Sequence, residues 1–201
     1  MMKVYFAPFA RSLRILWTLE ELNAPYEPIR VQFPPKAAQP DYLHVNPLGQ
    51  IPTLIDGETK LFESVGACEY INENNGGDLA IAPGQPGRAD YLQWLWYGEA
   101  TLMPPLGAMV RQNFGPDEIK SPAALAEARA SLFERLALIE ARLEGRQYLA
   151  GDRFTLADIS VAYTLNLGGL LRIADDYPPN IAAYFERMQA RPAFQAAAAQ
   201  A

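Results

Sequence analysis

The chain has 201 residues, half of them hydrophobic and a fifth charged, with a formal net charge of −6. That composition supplies a packed core and argues against a disordered chain. The acidic balance lacks the basic face that phosphate binding needs, so no nucleic-acid partner is expected.

A single cysteine, Cys68, rules out an internal disulfide framework and a Cys-rich zinc site. The length fits one large domain or two small ones. The first residues, MMKVYFAPF, lack the apolar run and small-residue site of a secretory leader. No stretch of about 18 apolar residues is present either. The expectation is a cytoplasmic protein with no membrane partner.

In chain order, Lys3–Ala7 is a short apolar run halted by Pro8, as in a buried strand. From Ser12 to Asn23, Leu13, Leu16, Trp17 and Leu19 recur at helical spacing, and the run ends before Pro25. Tyr26–Val31 reads as a second strand. Thr53–Ile55 and Lys60–Phe62 flank Asp56-Gly57, a hairpin signal. Val65–Asn75 reads as a helix stopped at Gly76-Gly77. The pattern βαβ, loop, ββα predicts a small mixed sheet, because a βαβ unit needs parallel strands and a hairpin adds antiparallel ones.

The Gly- and Pro-rich stretch 75–87 continues neither helix nor strand, and 77–86 is the expected linker between domains 1–76 and 87–201. Beyond it the pattern is helical. Gly87–Gln112 is amphipathic, with Pro104-Pro105 set to kink or interrupt it. Pro122–Leu143 is rich in Ala, Leu, Glu and Arg. Leu156–Leu171 is apolar enough to be buried on most sides, and Asn180–Ala190 halts before Pro192. The Ala-rich end, 193–201, reads as a fraying helix without a function.

Two segments carry chemistry. In Asn46-Pro-Leu-Gly-Gln-Ile-Pro-Thr-Leu54, Pro52 has no N–H for a ladder and so belongs at a strand start. An X-Pro bond is trans by default. A cis bond at Ile51-Pro52 would turn the Ile51 N–H and C=O outward, where an extended peptide pairs by strand addition. In Glu63-Ser64, Ser64 suits a helix N-cap, where free N–H groups and partial positive charge favour a carboxylate. Glu63 beside it suits an ammonium. Together they match an α-amino-acid terminus, unless Ser64 is a plain cap.

These segments resemble a known family. Phe6-Ala-Pro-Phe-Ala-Arg-Ser-Leu-Arg-Ile-Leu-Trp-Thr-Leu-Glu-Glu-Leu22, Asn46–Leu54, Leu61-Phe-Glu-Ser-Val65 and Phe154-Thr-Leu-Ala-Asp-Ile-Ser160 are similar to the signatures of cytosolic glutathione S-transferases, in a bacterial style without a clear class. The resemblance spans nearly the whole chain. It implies an α/β thioredoxin-like N-terminal domain, an all-α C-terminal domain, a cis bond at Pro52 and a homodimer. It further implies glutathione as co-substrate, held by the Ile51 backbone, Gln50, Pro52, Glu63 and Ser64, and no metal.

The departure from the family lies where the chemistry is. Family members carry a Ser, Cys or Tyr that hydrogen-bonds the glutathione sulfur, and the corresponding loop here reads Pro8-Phe9-Ala10-Arg11-Ser12. Ser12 is the nominated catalytic hydroxyl, with Tyr5 as runner-up. Arg11 or backbone N–H groups are further sources of positive charge. Phe9, Tyr97 and Met103 are nominated for a wall of the hydrophobic substrate site, each with core packing as the alternative.

Thr155-Leu-Ala-Asp158 reads as a structural capping box. The sole histidine, His44, lacks a partner at metal-ligand spacing, and Cys68 reads as a small buried residue. The expected activity is conjugation of glutathione to a small hydrophobic electrophile. The alternatives are a glutathione-binding protein with little activity, or a glutathione-dependent peroxidase, isomerase or ether-cleaving enzyme.

Overall fold

In the computed structural model, which describes residues 1–200, the N-terminal segment folds around a four-stranded mixed sheet. Strand β1 (Met2–Phe6) leads into helix α1 (Ser12–Glu21) and strand β2 (Tyr26–Arg30), and β1 and β2 pair in parallel. A short helix α2 (Pro35–Ala38) and a 3₁₀ turn (Pro40–His44) precede the hairpin β3 (Thr53–Asp56) and β4 (Thr59–Leu61). The order β2-β1-β3-β4 puts β1 between a parallel and an antiparallel neighbour.

Helix α1 is buried along most of its length because its Leu, Ile and Trp residues face in several directions at once. It packs on β1, on α3 (Ser64–Asn74) and on the last helix, α9 (Pro192–Gln200). The C-terminal end is therefore no fraying tail. Phe194 meets the Trp17 ring edge-on at 4.9 Å, and Arg191 grips Glu21 through two bonds of 2.6 and 2.7 Å. The chain from Ala190 onward thus belongs with Met1–Ala80 in one unit.

Ile81–Gln189 form the second unit, which is helical. Helix α4 (Arg88–Trp96) runs through a π-helical turn (Tyr97–Leu102) into α5 (Met103–Phe114), followed by α6 (Pro122–Arg142), α7 (Leu156–Leu170) and α8 (Pro179–Gln189). Pro104 and Pro105 cannot donate to the preceding turn, and the widened turn is where the helix absorbs that loss. At Gly98 a Cβ would stand 2.7 Å from the Ser160 carbonyl, so only glycine lets this turn approach α7. There the Thr164 hydroxyl donates to the Gly98 carbonyl at 3.0 Å. Helix α7 is buried on nearly every side from Leu156 to Gly168. Among the described residues, no helix is long and apolar enough to cross a membrane.

Candidate functional site

The strand registers define the site. β1 and β3 pair Tyr5 with Thr53, so two steps further on Ala7 falls opposite Ile51. β3 and β4 pair Leu54 with Leu61, and beyond that last pair Ile51 lies three residues before Leu54 and Ser64 three residues after Leu61. The end of β1, the start of β3 and the start of α3 therefore share one edge of the sheet. With strands about 4.8 Å apart, that edge is about 10 Å across, the length of an extended tripeptide.

At its centre, the Ile51–Pro52 bond is cis and Pro52 immediately precedes the first β3 residue, Thr53. Its side chain is buried with Ala7, Val31 and Tyr42. Its N–H and C=O stand outside the ladder, which closes at Thr53. Pro52 and Thr53 are buried, whereas Gln50 is exposed.

At one flank, the structure moves the cap by one residue. Glu63, in extended conformation (φ −87°, ψ 116°), is the N-cap of α3, and Ser64 is its first helical residue. Ser64 is not an N-cap, because its hydroxyl serves another partner. Arg14, fully buried on α1, donates to the Ser64 Oγ at 3.2 Å. A hydroxyl that accepts from a guanidinium keeps its own proton for an anion. The first N–H groups of α3 lie beside it without intrahelical acceptors. Glu63 makes no capping bond and is exposed. The flank thus joins an anion receptor to a carboxylate.

At the other flank lies the loop before α1. Arg11 is the helix N-cap but gives no side-chain cap, and Phe9 is exposed with φ 59°. Ser12 is fully buried: its hydroxyl donates to the Ala7 carbonyl at 3.2 Å, and the Ala7 N–H reaches it at 3.4 Å. Its single proton is engaged within the loop. Tyr5, half-buried, has its ring 5.6 Å from that of Tyr42.

The remaining nominated residues belong to the helical unit. The half-buried Tyr97 donates its hydroxyl to the Arg135 carbonyl at 3.0 Å and rests on the Trp94 ring, and burial raises its pKa. Met103 is buried at the start of α5. Cys68 is buried on α3, and burial pushes its thiol up to about 12, so it stays protonated. His44 is exposed.

Three residues of this neighbourhood were given no role of their own in the sequence, although Asn46 opens one of the two singled-out segments and Arg14 lies within a quoted signature. Arg14 reads as one more polar residue of a helix, and nothing local shows that it reaches a serine fifty positions on. Tyr42 and Asn46 read as loop residues, yet both are buried against the Gln50–Thr53 segment.

A mixed sheet with a cis-proline at the start of its third strand, followed by a helical unit, defines a thioredoxin-like glutathione transferase architecture. The comparisons agree. Residues 1–73 match the glutathione S-transferase N-terminal domain, and residues 102–192 match the C-terminal domain. The chain is 30% identical to glutathione S-transferase F10 of Arabidopsis thaliana, over 98% of this chain and 96% of that protein. It is also 30% identical to the disulfide-bond oxidoreductase YfcG of Escherichia coli, over 96% and 92%. A sphingomonad glutathione S-transferase solved with glutathione superposes with a TM-score of 0.85 at 30% identity, covering 98% of both chains. The protein belongs to the glutathione S-transferase family and is a glutathione S-transferase-like enzyme.

Proposed function

We propose that this enzyme binds glutathione along the shared sheet edge and transfers its sulfur to a small hydrophobic electrophile. One observation carries the reading. The Ser64 hydroxyl, at the start of α3 just beyond β4, accepts from the buried Arg14, and β4 pairs with β3, whose approach carries the Ile51 backbone. The γ-glutamyl carboxylate goes to Ser64 and the α3 N–H groups, and its ammonium goes to Glu63. The cysteinyl backbone pairs with Ile51 beside Pro52, with Gln50 as a polar neighbour. The sulfur then falls toward the loop before α1, where Arg11 is the charged group. Phe9, exposed in that loop, belongs to this reading as apolar surface for the electrophile, whereas Met103 is buried and Tyr97 half-buried within the helical unit. The reading includes a cytoplasmic homodimer.

A free thiol near pKa 8.5 is only a few per cent thiolate at neutral pH, so transfer requires the site to favour the anion. The loop's one hydroxyl, on Ser12, already donates to Ala7. That observation favours a second reading, in which bound glutathione works by thiol–disulfide exchange. Exchange also needs the thiolate, which attacks one sulfur of a disulfide substrate and expels the other as a thiolate. A leaving group this good makes a pKa near the free value sufficient, and the chemistry matches the name of the Escherichia coli relative. Cys68, buried and protonated, takes no part.

Calorimetry with glutathione tests the binding half. Ser64→Ala is expected to weaken binding about tenfold or more, the size of a hydrogen bond to a charged group. It is also expected to lower the melting temperature, because it removes an acceptor of the buried Arg14. Binding unaffected by Ser64→Ala overturns the placement of the carboxylate. Titrating the ultraviolet thiolate absorbance of bound glutathione, then assaying an activated aryl halide against a small disulfide, separates the two chemistries. A depressed thiol pKa with aryl transfer supports conjugation. An ordinary pKa with disulfide turnover supports exchange. Sedimentation of the purified protein checks the dimer.

A further inference from the structure

The segment that presents Ile51 does not hold itself in place. Gln50, Ile51 and Pro52 lie between a 3₁₀ turn and β3, outside any regular element. The carbonyl of Gln50 is the last acceptor before the Ile51 N–H, because the two belong to one planar peptide unit. Whatever fixes that carbonyl fixes the direction of the Ile51 N–H.

Two buried side chains fix it. The Tyr42 hydroxyl donates to the Gln50 carbonyl at 2.9 Å, and the Asn46 amide Nδ2 donates to the same oxygen at 2.9 Å. With two donors, both lone pairs of the carbonyl are filled. The donor count then closes. Tyr42 has given its one proton to Gln50, so at the 2.7 Å contact with Thr53 the Thr53 hydroxyl donates and the Tyr42 oxygen accepts. The second Asn46 proton reaches the Thr53 oxygen at 3.3 Å. Asn46 is itself oriented, because its Oδ1 accepts from the Leu48 N–H at 2.9 Å. Tyr42, Asn46 and Thr53 are 2%, 1% and 0% exposed, so these three side chains are held away from water although Gln50 itself is exposed.

We propose that Tyr42, Asn46 and Thr53 are positioning residues for the substrate peptide: by holding the Gln50 carbonyl they set the reach and direction of the Ile51 backbone. The inference rests on the glutathione reading of that edge and adds residues which touch no ligand themselves. Their effect falls on binding and orientation of glutathione, not on the reacting sulfur. Raised KM for glutathione with a nearly constant kcat is therefore the expected kinetic signature.

The decisive variant is Tyr42→Phe, which keeps the ring against Tyr5 and removes only the hydroxyl. Its partner in the test is Tyr177→Phe in the helical unit, where a buried hydroxyl donates to the Leu165 carbonyl at 2.8 Å. Tyr177→Phe loses one buried hydrogen bond and Tyr42→Phe loses two, to Gln50 and from Thr53. Both are therefore expected to melt at lowered temperatures, and their affinities are compared below both transitions. Calorimetry with glutathione is expected to show binding about three- to tenfold weaker in Tyr42→Phe and unchanged in Tyr177→Phe. Equal weakening in both variants, or none in Tyr42→Phe, overturns the proposal. A ligand-free measurement stands independently of glutathione. Tyr42→Phe and Thr53→Val are each expected to move the NMR shifts of the Gln50 carbonyl carbon and the Ile51 amide nitrogen. If the wild-type protein fails to bind glutathione while these shifts move, the site reading falls and the clamp stands. If the shifts stay put, the clamp falls.

Discussion

Two buried polar networks, one in each unit, are built from the same kinds of group and end differently. Around Gln50, Tyr42, Asn46 and Thr53 hold a backbone carbonyl whose own residue is exposed, and the next peptide group stands outside the sheet. Around Asp158, every oxygen is answered from within the chain. Oδ1 accepts from the Leu149 N–H and the Tyr184 hydroxyl, and Oδ2 accepts from the Thr155 N–H and hydroxyl. The first network transmits rigidity to an edge that can meet a ligand. The second joins the 149–158 loop, α7 and α8 to one another and leads nowhere else. A saturated network is structural, and a network with an open end positions something.

The largest expected effect breaks the closed network. Asp158→Ala leaves the Leu149 and Thr155 N–H groups buried without their acceptor, at about 1–3 kcal/mol each before relaxation. It leaves the Tyr184 hydroxyl only its 3.3 Å bond to the Asp158 carbonyl. A net loss of about 3 kcal/mol or more lowers the melting temperature by roughly 6–12 °C in a chain of this length. Glutathione affinity measured below the transition is expected to stay within about twofold of wild type. A melt unchanged from wild type, or a selective loss of affinity, would collapse the distinction between the two networks.

The second effect concerns charge. Four donors favour the Asp158 carboxylate, but burial outweighs them and pushes its pKa up to about 6. An unfolded Asp titrates near 3.9. The folded chain thus holds the proton more tightly, so this group's contribution to stability is complete below about pH 4, falls as pH rises toward 6 and is level above. Asp158→Asn does not titrate. The gap between wild-type and Asp158→Asn stability is therefore expected to narrow by about 2–3 kcal/mol between pH 4 and 6. A gap constant with pH means that the donors hold the carboxylate ionised throughout.

The same contrast explains what could be read from the residues in order. The capping box at Thr155 is local, four residues long, and was legible, as were the hairpin, the mixed sheet and the segments around Ile51 and Glu63. Contacts that close over long separations were not legible. Arg14 reaches Ser64, and Arg191 reaches Glu21 from the far end of the chain. Propensity has no term for such contacts. An Ala-rich end with a single Phe194 carries too little periodicity to show the face that docks on α1. Ser64 has the residue type of a cap, but the first helical position and the Arg14 contact are set by tertiary packing.

The smallest expected effect sharpens the comparison at the loop before α1. Ser12 combines features of both networks: it stands at the ligand edge by sequence, yet it is fully buried with its proton on the Ala7 carbonyl. If the rule holds, a hydroxyl already answered within its own loop is a fastener. Ser12→Ala then removes the bond to the Ala7 carbonyl, of ordinary worth at about 0.5–1.5 kcal/mol, together with the longer 3.4 Å one from the Ala7 N–H, and lowers the melt by several degrees. The pKa of bound glutathione, read from thiolate absorbance, is expected to stay within about 0.3 of wild type. A rise of a full unit, equivalent to about 1.4 kcal/mol of lost anion stabilisation, would show that Ser12 exchanges Ala7 for the sulfur when glutathione binds. Burial and a satisfied donor would then fail as a guide to which hydroxyls in this fold are structural.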